Sequence, residues 1–244
     1  MTTAYRHAIF ACPDQDDPLT VLAARWLGRD AWSGGAVVQP DVPDIAELTS
    51  FPRRYGFHAT VVAPFRPADG VGAQDIDGAL DVFVTEEAPI PLPLRVDRLG
   101  AFFALVPDGP SAPLDAMAER AVRQFHPYRA EPTADETARR RPERLSERQR
   151  EHLARWHYPY VMDEFRYHMT LTGPVPEADA ARVRETIGAH FAADILAAHR
   201  VDALARYVEP EPASFFAIAR RARFAAVTRR APPADPSLTT TEPR

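Results

Sequence analysis

Phe57-His58-Ala59-Thr60-Val61 and Tyr167-His168-Met169-Thr170-Leu171 decide how this chain is read, because one pattern occurs twice, 110 residues apart. In an extended strand alternate side chains share a face. His58 and Thr60 therefore point one way, and Phe57, Ala59 and Val61 the other. The same alternation sets His168, Thr170 and Thr172 against Tyr167, Met169 and Leu171. Each stretch reads as a strand anchored by its apolar side and presenting an imidazole and a hydroxyl on its polar side. Arg54 and Arg166 share the parity of their histidines, so an extended backbone would set a guanidinium beside each pair.

The likeness continues downstream. A helical stretch follows each strand, then Arg95-Val96-Asp97-Arg98-Leu99 is matched by Arg200-Val201-Asp202-Ala203-Leu204, and Phe102-Phe103-Ala104-Leu105 by Phe215-Phe216-Ala217-Ile218. From histidine to the arginine of the third block is 37 residues in one half and 32 in the other, a difference that one loop absorbs. Four blocks in the same order indicate a duplicated domain. The halves run roughly over 54–107 and 164–224, with a charged helical insertion at about 131–157, in one domain spanning 1–230.

Outside these blocks the signals are local. Residues 5–12 are a short apolar run stopped by Pro13-Asp14, which predicts a strand. Asp17 followed by Pro18, with Leu19, Leu22, Ala23, Trp26 and Leu27 at helical spacing before Gly28, predicts a capped helix. Helices are also expected at 74–87 and 113–125, with the longest at 177–195. Strands are expected at 92–106 with a break near Gly100, at 165–171, at 199–208 and at 214–224. The Pro- and Thr-rich stretch 231–244 reads as a disordered tail.

Composition excludes several chemistries. The 244 residues carry a formal charge of -5, and all 29 basic residues are arginine. Without lysine there is no Schiff-base amine and no Walker A phosphate loop. The acidic balance disfavours a duplex-DNA partner. The one cysteine, Cys12, permits neither an internal disulfide nor a thiolate metal cluster, and it is expected to be a small buried hydrophobe. The opening residues do not resemble a secretory leader and no apolar run reaches the roughly 20 residues of a membrane helix, so a cytoplasmic chain with no membrane partner is expected.

Two imidazoles on opposite sides of one phosphate suit phosphoester chemistry. Histidine titrates near neutral pH, so one ring can take a proton from the nucleophile while the other gives one to the departing oxygen. Threonine hydroxyls can donate to the non-bridging oxygens, and a guanidinium can offset the charge gathering there. Neither a metal nor another cofactor is required by such a scheme.

Paired His-x-Thr strands in a duplicated α+β chain resemble the 2H phosphoesterase superfamily, as in 2',5' RNA ligase-like proteins and cyclic phosphodiesterases. More narrowly, Arg53-Arg54-Tyr55-Gly56-Phe57-His58-Ala59-Thr60 with Ala63-Pro64-Phe65, Trp156 with Tyr158-Pro159-Tyr160-Val161, and 164–173 are similar to the DUF1045 branch, which is associated with phosphonate utilisation. The likeness runs from about residue 5 to 224. It implies a two-lobed α+β fold, with antiparallel sheets lining a central cleft and helices outside. It implies His58 and His168 as the acid/base pair and Thr60 and Thr170 as phosphate-holding hydroxyls. Val62 stands where the family pattern leads one to expect a lysine.

The expected function is therefore metal-independent hydrolysis of a small cyclic phosphate, of the ribose 1,2-cyclic or nucleoside 2',3'-cyclic type. The alternatives are processing of short RNA 2',5' or 2',3' ends, and a nucleotide- or RNA-binding module that has lost turnover. A small phosphorylated sugar or nucleotide is the expected partner. Arg54, Tyr55, Arg166 and Thr172 are the expected substrate contacts. Arg139, Arg140, Arg141, Arg144, Arg148 and Arg150 are read as a solvated helix paired with Glu143, Glu147 and Glu151, the other reading being a lid over a second phosphate. His152 and His157 are five apart, on different helix faces, and are not expected to bind zinc.

Overall fold

The computed structural model describes residues 4–225; the stretch 231–244, expected to be disordered, lies outside them. The alternation in the first apolar run produces β1 (Arg6–Ala11), whose Ile9 and Ala11 enter the main core while Ala8 and Phe10 face the opposite side of the sheet. Asp17 accepts the Leu19 N–H at 2.8 Å and starts α1 (Pro18–Leu27), which stops at Gly28 with φ 73°. There follow the short α2 (Ile45–Leu48) and α3 (Ser50–Tyr55), then β2 (Ala59–Phe65), α4 (Ala73–Thr85), β3 (Ile90–Pro91), and the hairpin of β4 (Leu94–Leu99) and β5 (Phe102–Pro107). The chain continues through α5 (Ala112–Phe125), α6 (Ala134–Ala138), α7 (Glu147–Trp156), β6 (Met169–Thr170), α8 (Ala180–His190) and α9 (Ala193–Ala197) to β7 (Arg200–Val201), β8 (Ala203–Glu209) and β9 (Ala217–Arg223).

The architecture is α+β. Seven strands form one antiparallel sheet in the order β4-β5-β6-β2-β1-β8-β9, and β3 pairs with β7 separately. The two His-x-Thr segments are neighbours at the middle of the sheet. The β4–β5 hairpin lies beside β6, and the β8–β9 hairpin lies beyond β1. The edge strand β9 carries Arg220, Arg221 and Arg223, charges that discourage a further strand from adding there. One face is closed by apolar side chains of α1, α4, α5 and α8, including Leu19, Trp26, Ile76, Leu80, Met117, Phe125 and Ile187.

Two element expectations need correction. The strand expected over 165–171 is reduced to Met169–Thr170, because the Leu171 and Thr172 N–H groups both turn to the Phe103 carbonyl and the Gly173 N–H goes to Leu48. The helix expected over 177–195 is interrupted at Phe191, whose backbone is extended and whose ring is buried 6.1 Å from Trp26. Burying that ring outweighs continuing the helical ladder, and α5 is longer than either piece.

Candidate active site

Register places the two motifs face to face. Ala59 of β2 pairs with Met169 of β6, and both are fully buried in the main core. One step either side of that pair sets His58 opposite Thr170 and Thr60 opposite His168, all four on the face away from the core. Diagonal neighbours in such a ladder are about 7–8 Å apart, room for one phosphate between the two rings. All four residues line one cavity of about 610 Å³, a size suited to a small ligand.

Both rings are oriented in the same way. His58 Nδ1 bonds the Gly56 carbonyl at 2.9 Å, and His168 Nδ1 bonds the Arg166 carbonyl at 2.7 Å, in each case two residues upstream. A carbonyl only accepts, so each Nδ1 carries the proton and each Nε2 is the unprotonated nitrogen, able to accept one. His58 Nε2 also lies 3.2 Å from the Thr60 hydroxyl. Gly56 permits this turn: its φ is 75°, and a Cβ there would meet the Ala31 Cβ at 2.5 Å. Burial pushes the His58 pKa down to about 4, the Gly56 bond opposes this, and the charge of His168 adds to it. Burial also lowers the pKa of His168, against its bond to Arg166.

Positive charge enters from elements flanking the strands. Arg54 sits in the last turn of α3, so the strand parity used to place it does not apply, yet it reaches the cavity. It shares the fully buried Glu209 with Arg6, whose Nε is 2.5 Å from that carboxylate. Two guanidiniums on one carboxylate leave a net positive charge on the wall. Arg6 was not singled out by the sequence, since nothing in its local spacing marks it. Tyr55 lines the cavity and stacks on Phe216 at 5.1 Å.

Two expected contacts are not brought to the cavity. Arg166 is exposed and borders a separate depression with Arg95, Asp97 and Tyr167, because the chain before Met169 is not a strand and its parity fails. Thr172 is fully buried, with its hydroxyl accepting the Phe103 N–H at 3.0 Å and donating to the Gly173 carbonyl at 2.7 Å. Its hydrogen-bonding capacity ties the end of β6 to β5.

The arginine-rich stretch is not one helix. Capping boxes at Thr133 and Ser146 start two separate helices, and Pro142 lies between them. Arg148 is solvated and paired with Glu151 and Asp163, as a charged surface helix would have it, whereas Arg139 and Arg140 line the cavity together with Arg129, His157 and Tyr158. Among the described residues, no three His, Cys, Asp or Glu side chains cluster as a metal site, and no helix is long and apolar enough to cross a membrane.

Comparison with known proteins changes the functional expectation. The chain is 36% identical over 236 residues to a protein of Janthinobacterium sp. (strain Marseille) named ribose 1,5-bisphosphate phosphokinase PhnN, covering 93% of this chain and 52% of the relative. It is 32% identical over 217 residues to a protein of the same name from Laribacter hongkongensis (strain HLHK9), covering 88% of this chain and 51% of the relative. The chain thus spans about half the length of the curated relatives it matches. Both names describe a kinase, and they overturn the expected hydrolysis of a cyclic phosphate. A pair of proton-handling groups can serve many phosphoryl reactions and does not by itself select one of them. The family described as "Protein of unknown function (DUF1045)" matches residues 60–217, well over half of the chain, which therefore belongs to the DUF1045 family.

Proposed function

We propose that this chain binds a small phosphorylated ribose in the cleft and supports phosphoryl chemistry on it, in an enzyme of phosphonate utilisation. The observation that carries the reading is the matched pair of imidazoles lining one cavity, each with Nδ1 tied to a carbonyl two residues upstream and Nε2 unprotonated, that of His58 beside the Thr60 hydroxyl. The names of the relatives supply the substrate class, a ribose carrying phosphate groups. A Walker-type nucleotide cradle needs a lysine and these 244 residues contain none, so we assign the cleft to the sugar phosphate rather than to a nucleoside triphosphate.

In this reading the Thr60 hydroxyl turns from His58 Nε2 to donate to a phosphate oxygen, the Thr170 hydroxyl donates to another, and Arg6 and Arg54 supply the countercharge. His58, held neutral by its surroundings, can accept a proton from the bound sugar phosphate. A bound phosphate raises the pKa of both rings by its own negative charge, so that His168 can hold a proton against a phosphate oxygen. We also read the paired His-x-Thr strands as kinship with the 2H phosphoesterases and their two-lobed frame, in one domain over 1–230 with halves at 54–107 and 164–224. The antiparallel pairing of β2 with β6 supports that reading.

The test is calorimetric titration with ribose 5-phosphate and ribose 1,5-bisphosphate, joined to phosphorus NMR of the bisphosphate with and without ATP. Binding that weakens at least tenfold in both His58→Ala and His168→Ala, together with a change in the phosphorus spectrum that those variants abolish, is expected. Binding of neither sugar, or binding indifferent to both histidines, overturns the proposal.

A further inference from the structure

Among the described residues Arg129 is a charge without a counterion. It follows α5 and the single turn at His126–Tyr128, its backbone bridges to Pro67 just past β2, and it is only 8% exposed. Among the described residues it has no salt bridge, its Nε has no hydrogen-bond partner, and its guanidinium lies over the Phe65 ring at 5.5 Å. A buried charge left unpaired is costly, and an orphaned buried polar atom calls for a ligand or another explanation. Burial and the charge of Arg140 push its pKa down to about 10, so it remains a cation at neutral pH.

Arg140 reinforces the demand for an anion. It lies over the Tyr158 ring at 4.8 Å, and no carboxylate pairs with it among the described residues. Glu136, the acidic side chain on this wall, is already held by Arg66 at 3.0 Å and by the Thr133 N–H at 2.8 Å. Two unneutralised guanidiniums thus line the same cavity as the histidines. Phe65, over which Arg129 lies, is five residues beyond Thr60 along β2.

We propose that Arg129 and Arg140 form a second anion subsite, which takes the second phosphate of a doubly phosphorylated sugar while the histidine pair engages the first. This rests on the reading of the cleft as a phosphorylated-ribose site and sharpens it: the preferred ligand is a bisphosphate. The subsite offers up to two charge-assisted contacts, each of a strength that corresponds to about tenfold or more in affinity.

Calorimetry with ribose 5-phosphate and ribose 1,5-bisphosphate on wild type, Arg129→Met, Arg140→Met and His58→Ala tests this, with the Tm of each variant measured without ligand. Both arginine variants should lose about tenfold or more in bisphosphate affinity and change little toward the monophosphate. Arg129→Met should keep or raise the Tm, because it removes a buried unpaired charge. Equal losses for the two sugars would mean a single anion site, and unchanged bisphosphate affinity would mean none, so either result overturns the subsite. A lower Tm for Arg129→Met with intact bisphosphate binding in Arg140→Met would assign Arg129 to the fold and also overturn it. Loss confined to the arginine variants, with His58→Ala binding both sugars normally, would keep the subsite and defeat the histidine reading.

Discussion

The two histidines come from one sequence pattern but sit in different surroundings. His58 stacks on Phe10 at 3.9 Å with an interplanar angle of 24°, has Tyr55 and Tyr207 rings within about 6 Å, and touches the Thr60 hydroxyl. Among the described residues His168 has one aromatic neighbour, Phe102 at 6.0 Å, and its one side-chain hydrogen bond is to the Arg166 carbonyl. The difference lies in what flanks each strand. β2 lies beside β1, which contributes Phe10 opposite Thr60, whereas β6 lies beside β5 and Ala104 stands opposite Thr170. A repeated motif therefore yields an asymmetric pair, with one ring walled in by aromatics and the other more open.

The largest effect that tests this comparison is loss of either ring. His58→Ala and His168→Ala should each lower turnover by about 100-fold or more, the usual scale for a lost acid or base. Steady-state rates showing that one variant retains activity would break the pairing of roles.

Titration gives the next contrast. By NMR, the His58 imidazole should protonate only near pH 4, and His168 below the ordinary histidine value because of its burial. His7 and His199 are also pushed down to about 4, mainly by burial. A depressed histidine pKa favours the fold while the ring is neutral. Stability from His7, His58 and His199 is therefore present above pH 6.5 and is lost as the pH falls toward 4. Urea unfolding between pH 7 and 4 should show a falling midpoint, and a flat profile would contradict the burial of these rings.

Phe10→Leu sharpens the comparison further. Removing the stacked ring should raise the His58 pKa toward its ordinary value and destabilise the chain by roughly 1–3 kcal/mol, leaving His168 unmoved. If NMR shows His168 shifting equally, the two environments are not separate. The smallest effect is expected at the hydroxyls. Thr60→Val should alter the His58 titration as well as weaken phosphate binding a few-fold, whereas Thr170→Val should weaken binding alone, because only Thr60 touches its own histidine.

Much of the framework was legible because its signals are local. Asp17-Pro18 and Gly28 bound α1, and the break at Gly100 falls in the turn between β4 and β5. Alternation also put Ala59 and Met169 in the core and their histidines on the other face. The same parity argument failed one turn away. Arg54 belongs to a helix, Arg166 to irregular chain, and Thr172 to a loop that closes on Phe103. Parity holds only where a ladder keeps the backbone extended, and the extent of that ladder is set by partners distant in sequence.

By itself the sequence determined two strands with an imidazole and a hydroxyl on one side, the helix boundaries around them, and the absence of any lysine to cradle a nucleotide. The tertiary structure decided that these strands are adjacent in register, that Phe10 encloses one ring, that Arg6 and Arg54 divide Glu209, and that Arg129 is buried with no counterion among the described residues. The reason is physical: side-chain direction and helix ends follow from short-range sterics and hydrogen bonding, which neighbouring residues fix. The field at a site is instead a sum over charges and rings delivered by segments far apart in the chain, and only their packing brings them together.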